Sequence, residues 1–245
     1  MYLMRLLLIL IFILQINSVK ADEIYNLLKI PNLEVYKLNN SNGIKYLNAK
    51  KNFRIGVKDN ITCNKSNKKK LDSQFFLVSK NLYRYDSEFL KKINLRFIVL
   101  CENLYISKIN TGGIPDHKKR TLILDLNFNK IYFERVIHHE IFHIIHNSFE
   151  EIFDESVWSN FNNKSFKYAE CSTCSNRLDL DLYDKTNGFL TEYSKSIASE
   201  DMAEIYSFLI TDKITIEKKA AKDPILFNKI EYIKSGIDKV IKFND

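Results

Sequence analysis

Apolar and polar positions change period along the chain, and each change marks an element. Residues 131–147 (IYFERVIHHEIFHIIHN) form an apolar run of good helix formers without Gly or Pro, which predicts a long helix. Just before it, residues 121–127 (TLILDLN) alternate strictly. Leu122, Leu124 and Leu126 fall on one side and Thr121, Ile123, Asp125 and Asn127 on the other, as in a half-buried strand. That strand is either an ordinary core strand or the rim of a cleft where an extended peptide adds by main-chain hydrogen bonds.

The rest of the chain divides by the same criteria. Residues 22–70 read as loop-rich, with a short strand over Arg54–Lys58. Residues 73–93 read as helix interrupted near Asp86, 95–106 as a strand or hairpin, and Thr111-Gly-Gly-Ile-Pro115 as a turn. Residues 149–188 are polar and irregular. A helix follows from about Ser199 to Thr211. Another starts at Asp223-Pro224, with Asp as N-cap and Pro in the first turn. Its Leu226, Ile230, Ile233, Ile237 and Val240 alternate steps of four and three, giving a packing face. The pattern as a whole predicts an α+β chain without internal repeats.

Composition alters this picture little. The 245 residues are 45% hydrophobic and 13% aromatic, as in a globular protein. The net charge of +7 does not point to nucleic acid. Lys, Asn and Ile are over-used throughout, and the one dense basic run, Lys65–Lys70, has no interleaved aromatics and reads as a solvated loop.

The first 21 residues read as a secretory signal: Arg5, then unbroken apolar sequence from Leu6 to Leu14, then Val19-Lys20-Ala21 before Asp22. The apolar run is shorter than the roughly 20 residues of a spanning helix, so cleavage is expected, with no stable membrane anchor afterwards. Removing Arg5 and Lys20 lowers the net charge from +7 to +5. A secreted or periplasmic location gives the four cysteines a role. Cys171-Ser-Thr-Cys174 fits a local bridge, leaving Cys63 with Cys101. The same CxxC fits half of a structural zinc site, although no second half is present, and sequence does not fix the pairing.

Chemistry concentrates in the long helix. His139-Glu140-Ile141-Phe142-His143 matches H-E-x-x-H. Residues four apart share a helix face, so two imidazoles can meet one metal ion. Glu140 is offset by about 100° and can reach a water held there. The pattern also suits a core helix whose histidines bond backbone carbonyls, so a third ligand decides between the two. Glu150, Glu151 and Glu155 lie too close along the chain, and Glu170 and Asp181 lack a helix to hold them. Glu200 and Glu204 share a face flanked by small Ala203 and Ser207, and Ser199 as N-cap places Glu200 at the helix start.

HHEIFH, then Leu190-Thr-Glu-Tyr193, then Ser199-Glu-Asp-Met-Ala-Glu204 resembles the zinc metallopeptidases related to the catalytic domain of anthrax lethal factor, which are gluzincins. The resemblance spans roughly Phe133 to Leu209 and includes Trp158–Tyr168. It implies that His139, His143 and Glu200 bind one Zn2+ per chain and that Glu140 is the general base. Tyr193 would stabilise the oxyanion, and Glu204 would accept the free N–H of a ligand histidine. It further implies a zincin-like fold: a small mixed sheet with an edge strand over an H-E-x-x-H active-site helix, and a C-terminal helical lobe. Residues 22–245 would form one catalytic domain, with a lobe at 22–130 and the active-site helix and helical lobe at 131–245. The expected activity is hydrolysis of a protein or peptide substrate. The alternative is an exported binding protein that keeps the fold without turnover.

Overall fold

A computed structural model of the chain describes residues 30, 32–38, 41–175 and 177–242. The expected signal segment, residues 1–21, lies outside them. Strands β1 (Leu33–Leu38), β2 (Lys45–Ala49), β3 (Phe53–Ile55) and β4 (Ile61–Asn64) precede helices α1 (Lys68–Leu82) and α2 (Ser87–Lys92). Strands β5 (Phe97–Ile106), β6 (Ile109–Asn110), β7 (Gly113–Asp116) and β8 (Thr121–Asp125) lead to α3 (Lys130–Ser148). Helices α4 (Glu155–Ser159), α5 (Ala198–Thr211), α6 (Lys213–Ala220) and α7 (Pro224–Lys242) follow. No helix among the described residues is long and apolar enough to cross a membrane.

The sheet is built on β5. Its first half is hydrogen-bonded in parallel to β2 and to β8. Its second half is antiparallel to β4 and to β6. Side chains alternate across it: Ile98 and Leu100 enter the core under the helices, while Phe97, Val99 and Cys101 enter a second core on the opposite face. Strand β8 divides likewise, with Leu122 and Leu124, and Leu126 just past its end, under the helices and Ile123 opposite. Both faces are therefore covered, and β8 is buried throughout rather than half-buried. Asp125 tolerates this because its carboxylate accepts from the N–H groups of Asn103, Leu104 and Asn127.

Local signals marked two helix starts, but Lys68–Lys70, read as loop, begin α1, and α4 and α6 were not anticipated. Asp86 breaks the 73–93 stretch by capping α2, accepting from Phe89 N at 2.7 Å. Asp223 caps α7 through Ile225 N and Leu226 N, ahead of Pro224. Residues 111–115 do not form a mere turn. Gly113 to Asp116 are strand β7, which pairs only with β8 among the described strands. Pro115 is tolerated there because an edge strand need not donate on both sides. Residues 30–64 are likewise richer in structure than expected, with four short strands. Two disulfides are present: Cys63–Cys101 joins β4 to β5, and Cys171–Cys174 closes a short loop in the irregular segment.

The mixed sheet and helices are there, but the expected zincin-like arrangement around one H-E-x-x-H active-site helix needs correction. His139 and His143 lie on α3 and Glu200 lies on α5, so the candidate metal-binding residues occupy two helices. The reason is geometric. One helix face offers two groups a turn apart, and the next turn is about 5.4 Å further on, beyond a shared ion. Among the described residues the sheet has eight strands rather than being small, and the strand read as either a core strand or a cleft rim is interior. Strand β7 takes the edge instead.

Candidate metal centre

Helix α3 is capped by Asn129, whose side chain accepts from Ile131 N at 3.1 Å. Its Phe133, Ile137, Ile141 and Phe142 are buried in the main core and fix its rotation. That rotation turns His139 and His143 towards α5, where the small side chains Ala203 and Ser207 are fully buried and permit close approach. Helix α5 starts one residue earlier than expected, at Ala198, with Ile197 rather than Ser199 in the cap position.

Three potential ligand atoms converge. His139 Nε2 and His143 Nε2 are 3.1 Å apart, and Glu200 Oε2 lies 2.8 Å from the first and 3.0 Å from the second. On its other side, His139 Nδ1 is 2.9 Å from Glu204 Oε1. An N–H donated from Nδ1 to Glu204 leaves a bare lone pair on Nε2 facing two other electron-rich atoms. Such a set is stable only with a cation among them, either a proton or a metal ion. Two imidazoles and one carboxylate are a donor set of catalytic zinc sites, where ligand atoms stand about 3.3 Å apart at tetrahedral geometry. The residues present fit a metal ion.

Electrostatics follow from burial and this proximity. Burial disfavours a charged His139, but hydrogen bonds and charge from Glu200 and Glu204 outweigh it and hold its pKa up at about 10. Burial likewise opposes ionisation of Glu200, yet the charges and hydrogen bonds of His143 and His139 hold its carboxyl well below the usual carboxylate range. Burial dominates at Glu140 and pushes it up to about 7.

Strand β7 makes room for Glu140. A Cβ at Gly113 would stand 2.5 Å from Glu140 Cγ, so the glycine lets the strand lie against that side chain. Tyr193 begins a 3₁₀ turn (Tyr193–Lys195), and its N–H donates to Asp179 O at 3.0 Å. Its ring stacks on His139 at 5.9 Å. Burial, then the Glu200 and Glu140 carboxylates, raise its pKa well above that of a free phenol, so its hydroxyl is a neutral donor.

Two flanking histidines do not join the cluster. His138 contacts Tyr85 OH at 2.7 Å and Asn81 Oδ1 at 2.9 Å, and burial pushes its pKa down to about 3. His146 is half-buried, 3.9 Å from Glu155. Two contributors escaped the sequence reading: Gly113, taken for part of a turn, and Arg135. Arg135 Nη2 is 3.8 Å from Glu204 and donates to Leu180 O at 2.5 Å. Its signal was the spacing, since Arg135, His139 and His143 repeat every four residues along one face.

A family model described as "Putative zinc-binding metallo-peptidase" matches residues 113–231, from β7 into α7, and includes every residue of the cluster. Among solved structures, the chain is similar to a "putative zinc-binding metallo-peptidase" from Bacteroides caccae. The two are 18% identical over 75% of this chain and 74% of that one, with a TM-score of 0.41. No curated protein matches the chain. The family match supports a relation to zinc-binding metallopeptidases.

Proposed function

We propose that this chain is an exported zinc-dependent endopeptidase of the gluzincin type, with residues 22–245 as one catalytic unit after loss of residues 1–21. The observation that carries the reading is the convergence of His139 Nε2, His143 Nε2 and Glu200 Oε2 within 3.1 Å beside a buried Glu140. His139, His143 and Glu200 would hold one zinc ion. When bound, zinc supplies a Lewis acid that lowers the pKa of water towards about 7 and polarises the scissile carbonyl.

The chain's own groups supply the rest. Glu140 accepts a proton from the attacking water and delivers it to the departing amine. The Tyr193 hydroxyl donates to the oxygen on which negative charge develops. Glu204 holds His139 in the tautomer that presents the Nε2 lone pair to the ion. The edge of β7 that pairs with no other described strand would offer main-chain groups to an extended substrate alongside Glu140.

The test is metal analysis of the mature protein with hydrolysis of unfolded protein. One zinc per chain is expected in the wild type and in Glu140→Gln, little in His143→Ala, and hydrolysis in the wild type alone. Absence of stoichiometric zinc after zinc addition would remove the reading. Full activity in Glu140→Gln would remove the mechanism.

A further inference from the structure

Arg135, His139 and His143 follow one another at steps of four on α3, and Glu200, Glu204 and Phe208 do so on α5. The two rows meet in opposite directions. His143 Nε2 contacts Glu200, His139 lies between Glu200 and Glu204, and the Arg135 guanidinium lies 4.4 Å from the centroid of the Phe208 ring. Arg135 therefore ends the row that carries the candidate ligands, one helical turn before His139.

The two oxygens of the buried Glu204 carboxylate are held unequally. Oε1 lies 2.9 Å from His139 Nδ1, whereas Oε2 accepts no hydrogen bond from the described residues. Arg135 Nη2 is 3.8 Å from that second oxygen, too far for a hydrogen bond but close for a charge contact. The guanidinium is itself fixed. It donates to Leu180 O and is flanked by the rings of Phe208 and, at 5.3 Å, Tyr132. A carboxylate held by one hydrogen bond alone can rotate out of line, and a fixed cation against its other oxygen opposes that rotation.

The charge of the whole site favours the same contact. Glu140, Glu200 and Glu204 are at most 8% exposed, so three carboxylates are buried around one point. A divalent ion balances two of them. Neither recess flanking the cluster is lined by a Lys or an Arg. Arg135 supplies a charge for the third, and a guanidinium does not lose its proton in a protein.

Resting on the metallopeptidase reading, we infer that Arg135 is a positioning residue, which holds the Glu204 carboxylate against His139 Nδ1 and thereby directs His139 Nε2 at the ion.

The test is a double-mutant cycle on zinc affinity, measured by chelator competition with Arg135→Met, Glu204→Ala and the two combined. Arg135→Met should weaken zinc binding by about tenfold, the lower end of the effect of removing a partner of a ligand histidine. In the Glu204→Ala background the same change should add nothing, because the residue through which Arg135 acts is gone. An effect exerted through Leu180 alone would persist there. Arg135→Lys, which keeps the charge, should recover most of the loss. Where Arg135→Met does not fold, Arg135→Gln replaces it with the same expectations, since its amide retains a donor for Leu180 O. Unchanged affinity, a loss that persists in Glu204→Ala, or no recovery in Arg135→Lys overturns the assignment and leaves the metallopeptidase reading intact.

Failure of the wild type to bind zinc ends that reading instead. The contact is then decided in the metal-free protein by nuclear magnetic resonance of isotope-labelled histidine. A slowly exchanging low-field proton on His139 Nδ1 is expected in the wild type and in Arg135→Lys, and its loss in Arg135→Met. Its persistence in Arg135→Met, or its absence from the wild type, overturns the assignment.

Discussion

Gly113 and Glu140 are in such close contact that a single methyl group at residue 113 would stand 2.5 Å from Glu140 Cγ. Gly113→Ala should therefore rotate the Glu140 carboxylate away without touching His139, His143 or Glu200. The expected outcome is retained zinc with turnover reduced by about 100-fold, the scale for misplacing a catalytic group by about 1 Å. Zinc content and turnover measured on one preparation check this, and unchanged turnover would show that Glu140 adapts freely.

Glu200 and Glu204 lie one turn apart on α5 but face opposite sides of His139. Glu200→Ala should lose most of its zinc, because only two side chains remain to hold it. Glu204→Ala loses only the partner of His139 Nδ1 and should weaken zinc affinity or activity by about 10–100-fold. Chelator competition separates the two, and the reverse order would move the ligand assignment by one turn.

A proton and a metal ion compete for His139. Without metal its pKa is held at about 10, against 6.5 for a free imidazole. A group with a raised folded-state pKa stabilises fully below its unfolded value and loses that contribution as pH rises through the folded one. The metal-free protein should thus lose thermal stability between about pH 6.5 and 10. Zinc binding should release about one proton, so apparent affinity should rise about tenfold per pH unit over that range. A flat affinity profile would mean that His139 is neutral without metal.

Lys229 and Asp201, the residue after Glu200 on α5, form a fully buried pair at 2.6 Å. Lys229 Nζ also donates to Gly188 O, and Asp201 Oδ2 accepts from Trp158 and Tyr168. Lys229→Met would strand the carboxylate and should destabilise the fold by about 3–5 kcal/mol in chemical denaturation. Adding Asp201→Asn should recover part of the loss. No loss in the single variant would mean that Asp201 takes up a proton without consequence.

Sequence by itself determined the features written in local periodicity and capping. The helix bearing His139 and His143, the break at Asp86, the start of α7 after Asp223 and the side assignment of Leu122, Leu124 and Leu126 all follow from spacings of two, three or four residues. The pairing of Glu200 and Glu204 on one face is of the same kind. Tertiary structure alone decided what depends on residues far apart. It set Glu200 against two histidines about sixty positions earlier and turned Gly113-Ile-Pro-Asp116 from an apparent turn into the edge strand beside Glu140. It also covered the second face of β8, so that Thr121 and Asp125 are buried. Local patterns record which side of an element is apolar, because that follows from backbone period. They do not record which element covers that side, because the covering surface is supplied by the rest of the chain.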